Sequence, residues 1–183
     1  MEGQEKEFEM TNKFTKQFMQ GKNPAGLLLI GGVGSGKTFM ASSIANTIIN
    51  YIVIQENGGT TYLRDIVNDD WFKNHEPLIF VSVSEMLERY RENPYSNFFY
   101  KYKECSLLIL DDLGAEKVSE CSTAKIFELI DYRYNEELPT IITTNCVPEE
   151  LKEHVGARTY DRIRSMCVLT PVTAKSQRVN AKL

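Results

Sequence analysis

Five short apolar runs punctuate an otherwise mixed chain: Leu27 to Gly31, Leu78 to Val83, Leu107 to Leu110, Thr140 to Thr143 and Met166 to Leu169. Each is nearly continuous rather than alternating, which predicts strands of a parallel sheet covered on both faces. Helical spacing fills the gaps. Lys37 to Asn50 carries Met40, Ile44, Ile48 and Ile49, and Ser122 to Glu137 places Ile126, Phe127, Ile130 and Tyr134 on one face. Residues 3 to 20 predict a polar helix marked by Phe8, Phe14 and Phe18. Ser82 or Ser84 can cap a helix from Glu85 towards Tyr90, and Pro148 suits the first turn of another. Gln55 to Pro77 breaks the alternation, with Gly58-Gly59, acids including Glu56, Asp65, Asp69 and Asp70, and Trp71, and predicts an insertion loop with one small helix.

At 183 residues the chain has the size of one domain with a short appendage. The division expected is an N-terminal helix and linker over 1–22, then a core over 23–183 containing the 55–77 insertion. Apolar residues make up 42% and charged residues 25%, so wholesale disorder is excluded. No apolar run approaches the ~18 residues of a membrane span, and the acidic start lacks the apolar stretch of a signal peptide. Cys105, Cys121, Cys146 and Cys167 are widely spaced, which predicts reduced thiols and a cytoplasmic, membrane-free setting. Charge is uneven. Arg158 to Leu183 holds six basic residues and one acid, so this end carries +5 and the rest −9 of the total −4.

The strongest chemical signal is Gly31-Gly32-Val33-Gly34-Ser35-Gly36-Lys37-Thr38, followed by Phe39. It fits G-x-x-x-x-G-K-[ST] between a strand and a helix. The glycines let backbone N–H groups curl inward around phosphate oxygens, and the helix N-terminus adds its dipole. Lys37 supplies a charge to the β- and γ-phosphates of ATP, and the Thr38 hydroxyl can ligate Mg2+. Leu107 to Leu110 ends in Asp111 and Asp112. A carboxylate there can hold the magnesium water shell, the role read for Asp111, while Asp112 orients or deprotonates the attacking water. A third strand, Thr140 to Thr143, leads to Thr144 and Asn145, and Asn145 can hydrogen-bond the γ-phosphate or the water.

These elements, in this order, resemble an AAA+ ATPase. The run Ile109 to Glu116, then Thr144-Asn145, then Gly156 to Arg164 resemble bacterial replicative helicase loaders of the DnaC/DnaI type. Transposition helper ATPases of the IstB type are close relatives. The likeness spans about Asn23 to Arg178, with Gln55 to Pro77 unmatched. It implies an α/β P-loop fold with a five-stranded parallel sheet, the Asn145 strand between the other two site strands, and no substantial helical lid. It also implies a γ-phosphate sensor at Asn145. An arginine within Arg158 to Arg164 would reach the ATP of the next subunit head to tail, Arg162 first and Arg158 second. Many members carry Glu where this chain has Asp112, which implies slow hydrolysis stimulated by assembly or DNA. Ser176-x-Arg178 resembles a short C-terminal element of these proteins. Related loaders carry a helicase-docking domain ahead of such a core, so residues 1–22 imply either a core alone or a loader that docks through its own surface.

Between Arg89 and Lys103, cations and aromatics are mixed: Arg89, Arg91, Tyr95, Tyr100, Lys101 and Lys103. Such mixtures stack bases and track phosphates of single-stranded DNA, although Phe98 and Tyr102 at helical spacing also suit a core. His75 and His154 stand in no ligand pattern. The reading reached is an ATPase module of a replicative helicase loader, with that helicase, single-stranded DNA and further copies of itself as partners. The alternatives are a transposition helper, a scaffold that binds nucleotide with little hydrolysis, and a small-molecule kinase. A kinase needs an acceptor pocket and lid arginines that the sequence does not offer.

Overall fold

The computed structural model describes residues 2–52, 54–56, 59–61 and 76–173. Its centre is a five-stranded parallel sheet in the order β4-β5-β6-β1-β7. The strands are β1 (Gly26–Ile30), β4 (Leu78–Ser82), β5 (Leu107–Asp111), β6 (Thr140–Thr144) and β7 (Cys167–Pro171). A separate antiparallel pair, β2 (Ile54–Glu56) and β3 (Gly59–Thr61), stands where the insertion loop was expected to begin. Trp71, His75, Ser176, Arg178 and the rest of the insertion and tail lie outside the described residues.

Side chains alternate across the central strands, and both sets are buried. Leu28, Leu108, Leu110 and Ile142 face one layer, built from α3 (Val83–Glu92), α4 (Phe98–Glu104), α5 (Glu120–Asn135), α6 (Pro148–Val155) and α7 (Ala157–Met166). Leu27, Leu29, Leu107, Ile109 and Ile141 face α1 (Glu2–Met19) and α2 (Lys37–Ile52). This two-sided burial is why the strands read as continuous apolar runs.

Local chemistry sets the helix ends. The Ser82 hydroxyl accepts from Glu85 N at 3.2 Å, so Ser82 rather than Ser84 caps α3. Ser119 and Ser122 cap α5 reciprocally. Met166 closes α7 instead of opening the last strand. On α5 the fully buried stripe runs through Ile126, Leu129, Ile130 and Arg133, while Tyr134 is 39% exposed.

Arg133 has 0% exposure and, among the described residues, no carboxylate partner. It donates to the carbonyls of Tyr102, Lys103, Cys105 and Pro139 at 2.7–3.1 Å and to Thr140 Oγ1 at 2.9 Å. Two of those carbonyls end α4, where a cation meets the negative end of the helix dipole. Burial pulls its pKa down, against the pull of Cys105. Burial also pushes the Cys167 thiol up to about 12.

Helix α1 is no detached linker. Phe14 and Phe18 are buried with α2 and β1, and Glu7 Oε1 accepts from Thr173 N and Oγ1 at 3.2 Å. Phe8, the third apolar mark of this helix, is 58% exposed. Among the described residues no helix is long and apolar enough to cross a membrane, and all four cysteines are free thiols.

Candidate nucleotide site

The three site strands lie side by side, β5-β6-β1, and their C-terminal ends open on one edge of the sheet, where parallel α/β folds place ligands. From β1 the chain curls through Gly31–Gly36 into the start of α2. Gly34 and Gly36 take φ of 79° and 95°, the left-handed region that glycine enters without strain. Lys37 closes the loop on itself: its Nζ donates to Gly31 O at 2.7 Å, Gly32 O at 2.9 Å and Asn145 Oδ1 at 2.7 Å. Ser35 Oγ lies at 3.5 Å from the same ammonium.

Thr38 Oγ1 donates to the Asp111 carboxylate at 3.0 Å. Thr143, one strand over, donates to Asp111 Oδ1 at 2.7 Å and accepts from Asp112 N at 2.9 Å. Asp112 itself has φ of 58°, a left-handed conformation uncommon outside glycine that asparagine and aspartate enter most often. Its Oδ1 accepts from Asn145 Nδ2 at 3.1 Å. Lys37, Asn145 and Asp112 therefore form one chain of hydrogen bonds, with Thr38 and Asp111 beside it. Val33, Gly34, Gly36, Lys37, Thr38, Phe39, Asp112 and Asn145 line a cleft of about 640 Å³.

The donor set suits magnesium. Mg2+ takes hard oxygen ligands and is held by one or two carboxylates together with phosphates and water. Thr38 Oγ1 and Asp111 present an alcohol and a carboxylate within one coordination sphere. Among the described residues no group of three or more His, Cys, Asp or Glu could hold a metal alone, so a metal here would share its sphere with phosphate oxygens.

A second feature is absent from the sequence reading. An apolar groove of about 230 Å³ runs between α1 and α2, lined by Phe8, Thr11, Phe39, Met40, Ile44 and Val172 among others. It meets the cleft at Gly36 and Phe39, which line both. The sequence signal was thin: two phenylalanines 31 positions apart, with Phe39 76% exposed.

Other expected residues lie elsewhere. Arg162 is engaged within its own chain, ion-paired with Asp131 and stacked 5.0 Å from the Phe127 ring centre. Arg158, one helical turn earlier on α7, is exposed. Lys103, expected at a DNA surface, is only 12% exposed; it bonds Glu128 at 2.7 Å and lies over Phe99, Tyr100 and Tyr132. Arg89 pairs with Glu85 at 2.6 Å and Lys101 with Glu76 at 3.2 Å. Arg91, Tyr95 and Tyr100 remain exposed.

Residues 50–183 match the family model described as IstB-like ATP binding protein. The chain belongs to the IstB-like ATP-binding family. Asp111, Asp112, Asn145 and the α7 arginines all fall inside the matched span of this IstB-like protein. It is 28% identical over 148 residues to the replicative helicase loader DnaI of Bacillus subtilis, covering 80% of this chain and 42% of DnaI. A crystal structure of DnaI superposes with a TM-score of 0.70 at 26% identity, covering 96% of this chain and 85% of that one. The crystal structure of the DnaC helicase loader gives 0.71 at 23% identity, covering 93% and 90%. The chain thus spans less than half the length of the full DnaI protein. The fold is of the P-loop AAA+ type, without a large helical lid among the described residues.

Proposed function

We propose that this chain is the ATPase module of a replicative helicase loader, hydrolysing ATP to control its grip on single-stranded DNA and on a replicative helicase. The observation that carries the proposal is the hydrogen-bonded chain Lys37–Asn145–Asp112 set beside Thr38 and Asp111. The phosphates occupy the cleft, with Lys37 and the loop amides of Gly32 to Thr38 as their donors. The base occupies the apolar groove, where the exposed faces of Phe8 and Phe39 offer stacking and the one buried acid of the lining, Glu7, accepts from Thr173. Thr38 and Asp111 would hold Mg2+, which would supply neutralisation of phosphate charge.

Asp112 Oδ1 is engaged by Asn145, so Oδ2 is the oxygen that takes a proton from water. The water oxygen bonds to the γ-phosphorus, the bridging oxygen departs with ADP, and the proton passes to Asp112. Asn145 contacts Lys37 and Asp112 at once, which makes it the group that reports a γ-phosphate to the base. Arg158 is assigned the role in the neighbouring subunit's site in preference to Arg162. It is exposed, whereas Arg162 must first abandon Asp131 and its aromatic stack. The DNA surface reduces to Arg91, Tyr95, Tyr100 and Lys101 on and between α3 and α4. Ser82, the cap of α3, pairs in register with Asp111, so α3 starts at the cleft edge of the sheet, whereas α4 ends at the opposite edge, where Lys101 meets Glu76 ahead of β4.

The deciding measurement is phosphate release by purified protein with Mg-ATP. Asp112→Asn is expected to keep nucleotide affinity and lower turnover about 100-fold, since a positioned base contributes ~10²–10⁴. Lys37→Ala is expected to lose nucleotide binding. Tight ATP binding by the native chain without phosphate release would instead make it a nucleotide-dependent scaffold. The family match also favours a transposition helper. Copurification with a transposase rather than a replicative helicase would select that reading.

A further inference from the structure

We propose that Glu116 is a positioning residue for Asp112, and that through His154 it ties the Asp112 turn to α6. The inference rests on the hydrolytic reading above and deepens it. Asp112 can hold a water only while its turn keeps an unusual backbone. Asp112 at φ 58° is left-handed without being glycine, a conformation that persists only where the surroundings over-determine it, and Gly114 continues the turn at φ 95°.

The restraints can be named. From β6, Thr143 accepts from Asp112 N, Leu113 N donates to Thr143 O at 2.9 Å, and Thr144 Oγ1 donates to Leu113 O at 2.6 Å. From within the turn, Glu116 Oε2 accepts from Gly114 N at 2.8 Å. Its side chain is 2% exposed, an unusual place for a lone acid on a surface turn. Its other oxygen, Oε1, lies 2.9 Å from His154 Nε2 in the last turn of α6. A carboxylate only accepts, so Nε2 carries the hydrogen.

Two residues after His154, Gly156 at φ 84° opens α7, which carries Arg158. Glu116 therefore joins the turn that aims the base to the helix pair that carries the arginine offered to a neighbour. Its carboxylate touches neither the cleft nor its lining.

Three measurements on Glu116→Ala and Glu116→Gln test this. The alanine variant is expected to lower kcat at least about tenfold while KM and nucleotide affinity stay within about twofold, the signature of a displaced catalytic group. Glutamine keeps an acceptor for Gly114 N and can donate to the other His154 tautomer, so it should recover most of the loss. Hydrogen exchange reads the geometry without turnover. In Glu116→Ala, peptides spanning 111–116 should exchange about tenfold faster, with those spanning 31–38 unchanged.

Unchanged kcat and unchanged exchange in Glu116→Ala would overturn the proposal. So would a parallel fall in kcat, nucleotide affinity and melting temperature that glutamine fails to restore, since that marks a merely structural acid. Should the native chain prove unable to hydrolyse ATP, the functional reading fails by itself. The exchange comparison then still decides whether Glu116 holds the turn.

Discussion

Lys37, Asn145 and Asp112 act as a unit because each occupies a polar atom of the next. Removing the middle member leaves Lys37 its two loop carbonyls but leaves Asp112 Oδ1 without its partner. Asn145→Ala is therefore expected to preserve Mg-ATP binding and lower turnover about 10–100-fold, read as kcat at saturating ATP. Loss of binding on that substitution would place Asn145 among the phosphate-holding groups instead. Arg158 and Arg162 of α7 separate by a different readout. Arg162→Ala breaks the ion pair with Asp131 and the stack on Phe127, and should cost about 1–2 kcal/mol in urea unfolding. Arg158→Ala touches an exposed side chain and should leave stability within about 0.5 kcal/mol. Single residues were unevenly legible. The roles proposed for Lys37, Thr38 and Asp111 could be framed from the chain because their spacing is imposed by phosphate and metal geometry. Glu116 and Arg133 were invisible, since an isolated acid or arginine in a sequence does not announce burial. Most of their partners are backbone groups common to every residue type, and the His154 ring that meets Glu116 lies on another element.

The helices α4 and α5 are joined by a charged cluster that replaces the expected DNA contact of Lys103. Glu128 bonds Lys103 at 2.7 Å and Lys125 at 2.6 Å. Burial alone would raise its pKa, but the two lysines outweigh it and the net shift is downward. A lowered carboxylate pKa stabilises the fold above the ordinary Glu range and loses that contribution as pH falls through the folded value. Glu128→Gln should thus cost about 1 kcal/mol near neutral pH, and its deficit against the native chain should close on acidification below about pH 4.3. A deficit constant between pH 7 and pH 3 would show that packing, not charge, holds these helices together. Arg133 is the stronger joint. Arg133→Met abandons four buried carbonyls and is expected to cost about 3 kcal/mol or more in urea unfolding. Strands were readable from the chain because burial on both faces makes them apolar throughout. Helix α1 was half readable: its polar composition suggested an appendage, whereas only Phe14 and Phe18 on one stripe were needed to fasten it to α2. The β2–β3 pair gave no periodic signal, each strand being three residues long.

Taken whole, the molecule offers a cleft at one edge of the sheet and exposed arginines, Arg158 and Arg164, on α7. The body is acidic and the C-terminal end basic, so copies can meet with opposite charge facing opposite charge. A head-to-tail contact of this kind is heterologous, and under the proposed function each interface would take its nucleotide from one chain and its arginine from the next. That division of labour has a consequence that single variants do not test. Lys37→Ala lacks the phosphate lysine but retains Arg158, while Arg158→Ala retains the whole cleft but lacks the arginine. Each alone should be nearly inactive, because an arginine acting in trans contributes ~10³–10⁵ to phosphoryl transfer. Mixed in equal amounts, they form interfaces in which the cleft comes from Arg158→Ala and the arginine from Lys37→Ala. With random association those make up about a quarter of all interfaces, so the mixture should recover about a quarter of the native rate. The recovery should grow with protein concentration and weaken with salt, as the interface does. A mixture no faster than the mean of its two components, at concentrations where native turnover per molecule has reached its plateau, would remove Arg158 from the neighbouring site.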